Sequence, residues 1–326
     1  MTNWVKLGRT INFDARTSAG HVSLSNDGKT LVISDQYDES NNNLNDYGGT
    51  VRIFRNIKGN WVQIGDDIAG VTNQHLGSCI ALSGDGKTLL VGSPSTSFGG
   101  EYTTTGGVSF YEKNASENWE LVNHIERSSM SSIYGSIGYP LQTLSLSKDG
   151  STAVISSPAG GRVGDNAIRI YEKTGNNWVE VKEINNSTGP NGFSVDLSDD
   201  GSTLVFTEPF DWDGGSIYIY KKENDDWIQS GTRIHGEGSL DVFGASTSLS
   251  EDGTVLAVGA PYNGTKGSVR FYKFSNNDWN LFGEIDVKGQ YDLYFGSSVA
   301  LSKNGEFVAI GGGRSNLATG GYENCP

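Results

Sequence analysis

Two cysteines, two methionines, four histidines and seven prolines are all that 326 residues hold of these types. Two cysteines, Cys79 and Cys325, exclude a disulfide-stapled scaffold, and no CxxC spacing offers a structural zinc site. Two separate thiols are expected over a single Cys79–Cys325 bond. The histidines His21, His75, His124 and His235 fall in different stretches of the chain, none at metal-ligand spacing from another, so loop and surface roles are expected. No run of 18 apolar residues is present, which predicts no membrane-spanning helix. The opening MTNWVKLGRT lacks the apolar stretch of a secretory signal. Basic residues are outnumbered, 24 against 38, and the net charge is −14. Such a chain is a poor partner for duplex nucleic acid, whose binding rests on phosphate neutralisation. GxSxG, HExxH and phosphate-loop motifs are also missing.

What is abundant is glycine, 45 residues, and it is not scattered. Asp-Gly falls at Asp27, Asp85, Asp149, Asp200 and Asp252, with Asn304-Gly305 as a sixth copy, at spacings of 58, 64, 51, 52 and 52. Each pair follows Leu-Ser at a constant offset, from Leu24-Ser25 to Leu301-Ser302. Six of the seven tryptophans keep the same register: Trp4, Trp61, Trp119, Trp178, Trp227 and Trp279. Five of them follow an aromatic by seven or eight residues, namely Phe54, Tyr111, Tyr171, Tyr220 and Tyr272. A period of this size marks a repeat architecture.

The fifth copy shows what one unit builds. STSLS, ending at Ser250, reads as strand a; Glu251-Asp252-Gly253 is the turn; TVLAVGA is strand b. Glycine there supplies the left-handed backbone of a bulged hairpin, and the Ser250 hydroxyl can bond within the turn. After a variable loop, SVRFYKF alternates as strand c, SNND turns, and WNLFGEI is strand d. No stretch keeps a helical period. The expected fold is all-β: a six-bladed β-propeller of four-stranded antiparallel blades forming a single domain over 1–326. The blades are predicted at 20–68, 77–125, 142–185, 192–235, 244–287 and 296–326 plus 1–12. The N-terminal strand is expected to pair in the last blade and close the ring, which removes free sheet edges. A seven-bladed alternative would need a unit without the repeat. Near residue 320 the sequence ATGGYENCP offers no alternating run, so the sixth blade is expected to have a degenerate third strand.

Phe243-Gly244 and Gly259-Ala260-Pro261 resemble the FG-GAP repeat of integrin α-subunit propellers, and FGSSVALSKNGEFVAIGG from Phe295 repeats the first half. The other units match more loosely, as at Gly92-Ser93-Pro94. WVQIGDDIAG from Trp61 is similar to tandem propeller repeats of marine microbial and viral proteins. The resemblance implies a propeller used in binding or adhesion. It would also imply calcium in the inner hairpins, but these carry at most two acidic residues before the glycine, and calcium takes six to eight oxygens. No metal and no cofactor are therefore expected.

Binding belongs on the face formed by the b–c and d–a connections, which are long and irregular, rather than on the face of uniform DG turns. Candidate ligand-binding residues are Tyr37, Tyr102, Tyr134 and Tyr139, in Ser/Thr/Asn-rich loops of paratope-like composition. Trp212, the tryptophan outside the repeat register, stands between Asp211 and Asp213 and could stack a sugar or anchor a protein. Packing of these aromatics into their own loops is the competing reading. Within the inner strands only Asp196 is acidic, which falls short of a glycosidase pair. The expectation is a non-enzymatic binding or structural module, a fibre, tail or capsid-associated component of a virion. Its partners would be other proteins of the assembly or a host-surface glycan. A lectin-like glycan binder and a propeller hydrolase are the alternatives.

Overall fold

The computed structural model describes residues 6, 8–11, 20–38, 47–72, 74–93, 97–98, 101–102, 106–127, 144–157, 167–185, 194–211, 213–238, 241–264, 267–287, 294–312, 314–316 and 321–323. Every regular element among them is a strand. The first sheet orders β1 (His21–Leu24), β2 (Thr30–Asp35), β3 (Thr50–Ile57) and β4 (Asn60–Gln63), with β5 (Ile68–Ala69) also on β3. The second uses β6 (Cys79–Leu82), β7 (Thr88–Ser93), β10 (Gly106–Lys113) and β11 (Trp119–Arg127). A small hairpin of β8 (Ser97–Phe98) and β9 (Glu101–Tyr102) lies between β7 and β10 in the chain. The third comprises β12 (Leu144–Leu146), β13 (Thr152–Ser157), β14 (Ala167–Thr174) and β15 (Asn177–Asn185). The fourth has β16 (Val195–Leu197), β17 (Thr203–Glu208), β18 (Ser216–Glu223) and β19 (Asp226–Gln229), with β20 (Ile234–His235) also on β18. The fifth has β21 (Ser246–Leu249), β22 (Val255–Ala260), β23 (Ser268–Ser275) and β24 (Asp278–Asp286). Two hairpins follow, β25 (Ser298–Leu301) with β26 (Val308–Gly311), and β27 (Arg314–Asn316) with β28 (Gly321–Glu323). The described pairings are antiparallel. Residues 1–133, 148–150 and 173–178 form one compact unit, and 134–147, 151–172 and 179–326 another.

The repeated Ser-x-Asp-Gly is a hydrogen-bonded turn. Ser250 Oγ donates to Asp252 Oδ1 at 2.6 Å and accepts from the Val255 N–H at 2.9 Å. Ser25, Ser83, Ser198 and Ser302 make the same two contacts with their own Asp or Asn and the amide five residues on. Gly253 closes the turn at φ +62°, where a side chain would be strained. A Cβ on it would also meet Thr203 Oγ1 of the preceding repeat at 2.6 Å, whereas one on Gly28 would meet no described atom within 4 Å.

In four repeats the residue just before the last leucine of the inner strand reaches to the next repeat, while the second sheet has Ala81 there. The Leu82 amide donates to Ser23 Oγ, Leu197 to Ser145 Oγ, Leu249 to Asp196 Oδ2 and Leu301 to Ser248 Oγ, at 2.8–3.3 Å. Within each compact unit these bonds staple inner strands together: first to second, third to fourth, fourth to fifth, and fifth to β25. Strands β7 and β17 are buried along their whole length, as TLVFTE of β17 shows. Cores lie between sheets: Trp227 joins third- and fourth-sheet residues, and Trp279 joins fourth- and fifth-sheet residues. Trp178 packs on Phe110, ring centres 4.9 Å apart.

Asp196 substitutes for serine in the staple. Its carboxylate accepts from the Leu249 and Leu197 amides at 2.8 and 2.9 Å. Burial, the largest influence, outweighs those bonds and pushes its pKa up to about 6, although part of the side-chain surface stays open.

Near the N-terminus, Gly8 lies against the outer turn of the first sheet. Gly8 follows Trp4 as Gly231 follows Trp227, and a Cβ on each would touch the outer turn of the next repeat, Gly59 O at 2.6 Å and Asp278 Oδ1 at 2.7 Å. Val22 and Leu24 of the first inner strand are 69 % and 52 % exposed, where their counterparts Val195 and Leu197 are 0 % and 6 %. Cys79 is a buried free thiol, and Cys325 lies outside the described residues. Among the described residues no helix is long and apolar enough to cross a membrane.

Candidate functional site

A recurring ion pair shows which sheet is different. The third residue of strand c is Arg52, Arg169 and Arg270 in the first, third and fifth sheets. Each guanidinium pairs at 2.9 Å with an acid on the outer segment: Asp67, Glu183 and Glu284. The second sheet has Ser109 and His124 there, Oγ to Nδ1 at 2.9 Å. In the fourth sheet the polarity is reversed. Tyr218 takes the arginine place and Arg233 the place of the acid.

The reversal assembles a polar constellation at the end of the fourth sheet, from the b–c loop and the segment around β20. Arg233 Nη1 donates to Tyr218 Oη at 3.0 Å, and that hydroxyl donates to Glu208 Oε2 at 3.1 Å. Glu208 is 1 % exposed and Tyr218 8 %. Burial raises the Tyr218 pKa, with Arg233 pulling the other way. Arg233 Nη2 donates to Asp213 Oδ2 at 2.9 Å, and Nε to His235 Nε2 at 3.1 Å. His235 therefore accepts at Nε2 and carries its proton on Nδ1, 3.7 Å from Asp213 Oδ2 and 3.5 Å from Ser216 Oγ. Three of the five guanidinium N–H groups are used among the described residues, leaving two for a ligand.

Asp211 holds the loop that presents Asp213. Its Oδ1 accepts from the Asp213 and Gly215 amides at 2.9 and 3.0 Å, and its Oδ2 accepts from Ser216 Oγ. Asn263 occupies the same place in the fifth sheet and bonds Ser268 Oγ at 2.9 Å, so this turn is structural wherever it occurs. The Asp213 side chain is 60 % exposed and Arg233 31 %. Asp211, Asp213 and His235 bring ligand atoms within 4.8 Å of one another, a set that could hold a metal ion. Arg233 already lies against Asp213 and 3.8 Å from Asp211, so a cation would have to displace it.

Of the residues singled out in the sequence, Asp211 and Asp213 thus come together. Tyr37 lies far along the chain, in the first repeat, at the edge of a ring cluster. It meets His75 and Tyr47 edge-on, centres 5.7 and 6.3 Å apart, while His75 stacks on Tyr47 at 5.8 Å. It packs its own loop and keeps 36 % exposure. Tyr102 is in β9, and Trp212, Tyr134 and Tyr139 lie outside the described residues. The sequence reading missed Arg233, His235, Tyr218 and Glu208. Their signal was an exchange between repeats, Tyr for Arg on strand c and Arg for acid on strand d, visible only with the repeats aligned by strand.

No family model matches the chain, and no curated protein matches it. Solved structures do. A candidate 6-phosphogluconolactonase of Bacteroides uniformis matches with a TM-score of 0.58 at 13 % identity, over 93 % of this chain and 82 % of that one. The periplasmic gluconolactonase of Pseudomonas aeruginosa matches with a TM-score of 0.56 at 15 % identity, over 93 % and 83 %. A chain of a mitotic checkpoint complex matches with a TM-score of 0.58 at 13 % identity, over 92 % and 75 %. At such identities the likeness shows the fold: the chain is an all-β protein of the β-propeller kind. Two of the three neighbours bear lactonase names, which overturns the expectation of a non-enzymatic virion component and of no enzyme activity. That expectation weighed catalysis on the inner strands alone, where Asp196 is the single acid. The polar constellation stands instead on loops outside them.

Proposed function

We propose that this protein is a propeller hydrolase that opens a cyclic ester of the sugar-lactone class at the fourth repeat. The observation that carries the reading is the reversed pair, which sets Arg233, with two N–H groups left, beside the exposed carboxylate of Asp213. The lactonase names of two structural neighbours support the substrate class. In this reading the guanidinium donates to the lactone carbonyl oxygen and stabilises the charge that develops on it. A water oxygen attacks the carbonyl carbon and gives its proton to Asp213. The bond from carbonyl carbon to ring oxygen then breaks, the ring oxygen takes the proton back, and the product is an open hydroxy acid. Tyr218 and Glu208 position the guanidinium, and Asp211 positions Asp213.

The same proposal includes six repeats closed into a ring by the N-terminal strand, in one domain, with an FG-GAP-like pattern in the last two. The proximity of Gly8 to the outer turn at Gly59 supports it. The test of function is initial-rate titration of acid released from glucono-1,5-lactone, corrected for spontaneous opening. The protein should accelerate opening, and Arg233→Met and Asp213→Asn should each lose at least about 100-fold, the scale of one lost transition-state donor or base. No acceleration by the unaltered protein overturns the reading.

A further inference from the structure

The charge around Arg233 also selects among lactones. Three carboxylates converge on this one guanidinium: Asp213 at 2.9 Å, Asp211 at 3.8 Å, and Glu208 through the Tyr218 hydroxyl. Arg233 is thus neutralised before a ligand arrives. The whole chain adds a net charge of −14. A phosphate needs uncompensated donors, commonly an arginine presenting a two-pronged fork to its oxygens. Here the Arg233 fork is divided between Tyr218 and Asp213, and the carboxylates would repel a dianion. Hydroxyl groups meet the opposite situation. Asp213 Oδ2 takes the Arg233 bond, so Oδ1 of this exposed carboxylate is left to accept from a hydroxyl.

We infer that the substrate is an uncharged polyhydroxylated lactone and that its phosphate ester is excluded electrostatically. This rests on the hydrolase reading of the same constellation. Of the two lactonase names among the neighbours, it selects the unphosphorylated chemistry.

The experiment compares kcat/KM for glucono-1,5-lactone and for its 6-phosphate, each corrected for spontaneous opening, at low and at high ionic strength. Expected is at least about a 30-fold preference for the neutral lactone at low salt, shrinking several-fold at 1 M salt as the repulsion is screened. Asp211→Asn, which removes one carboxylate yet keeps an amide oxygen for the turn, should narrow the preference. Equal or greater turnover of the phosphate ester overturns the inference and leaves the hydrolase reading standing. Turnover of neither overturns that reading, and the inference with it. A preference that salt does not move overturns the electrostatic cause.

Discussion

The third and fourth repeats solve the same packing problem with opposite polarity. In the third, Arg169 on the sheet is 8 % exposed and its partner Glu183 lies outward, 2.9 Å away. In the fourth, the sheet position is a tyrosine bonded to a buried glutamate, and the cation is moved out to Arg233, next to Asp213 and His235. The first arrangement spends every charge on holding two strands. The second leaves guanidinium donors and a carboxylate facing outward. The difference teaches that in a repeat protein a site can stand where a copy reverses a pairing that others keep, here the first, third and fifth sheets.

The comparison can be broken most severely at the two arginines. Arg233→Met should lower lactone opening at least about 100-fold and change the melting temperature little, because the residue is part-exposed. Arg169→Met should do the reverse, keeping turnover while costing about 2 kcal/mol in urea unfolding through the lost pair and packing. If both variants lose activity in proportion to stability, the fourth repeat has no special standing.

A second contrast is between Asp196 and the serines it replaces in the staple. Its folded-state pKa of about 6 lies above the ordinary 3.8, so the folded protein holds this proton more tightly than the unfolded chain. The sign follows. Its contribution is most favourable below pH 4 and is lost as pH rises through 6, by at most about 3 kcal/mol. Asp196→Ser, which restores the acceptor used by Ser145 and Ser248, should flatten the stability profile between pH 4 and 7. A variant with an unchanged slope would place the titration elsewhere.

Smaller effects sharpen the comparison of repeats with and without a described neighbour. Gly253→Ala should cost about 2 kcal/mol, from the left-handed backbone and from the clash with Thr203. Gly28→Ala has the same backbone strain and meets no described atom within 4 Å, so it should cost about 1 kcal/mol from the backbone alone and as much as Gly253→Ala if the ring is closed over it. Equal costs would mean that something covers the first turn, as ring closure requires. Deletion of residues 1–12 should then also lower the melting temperature, and an unchanged melt would refute closure by that strand.

The fold was legible because each signal had a local cause. Leu-Ser-x-Asp-Gly marks a turn whose bonds lie within a few residues, Ser250 to Asp252 for instance, and Trp227 marks where one sheet packs on the last. Asp211 and Asp213 were legible as polar loop residues beside a tryptophan. Arg233 and Tyr218 were not, because the hydrogen bond between them spans 15 residues and joins an unremarkable basic residue to an apparent core aromatic. The virion reading failed for a related reason: it took uniformity of the repeat as its message, and the function proposed here rests on an exception.

The most direct test is a crystal structure with gluconolactam, the amide analogue that binds as a lactone but resists opening. The account predicts the analogue at the fourth repeat, its carbonyl oxygen accepting from Arg233 and a hydroxyl donating to Asp213. Analogue bound at the inner strands beside Asp196, with the fourth-repeat loop empty, would contradict it.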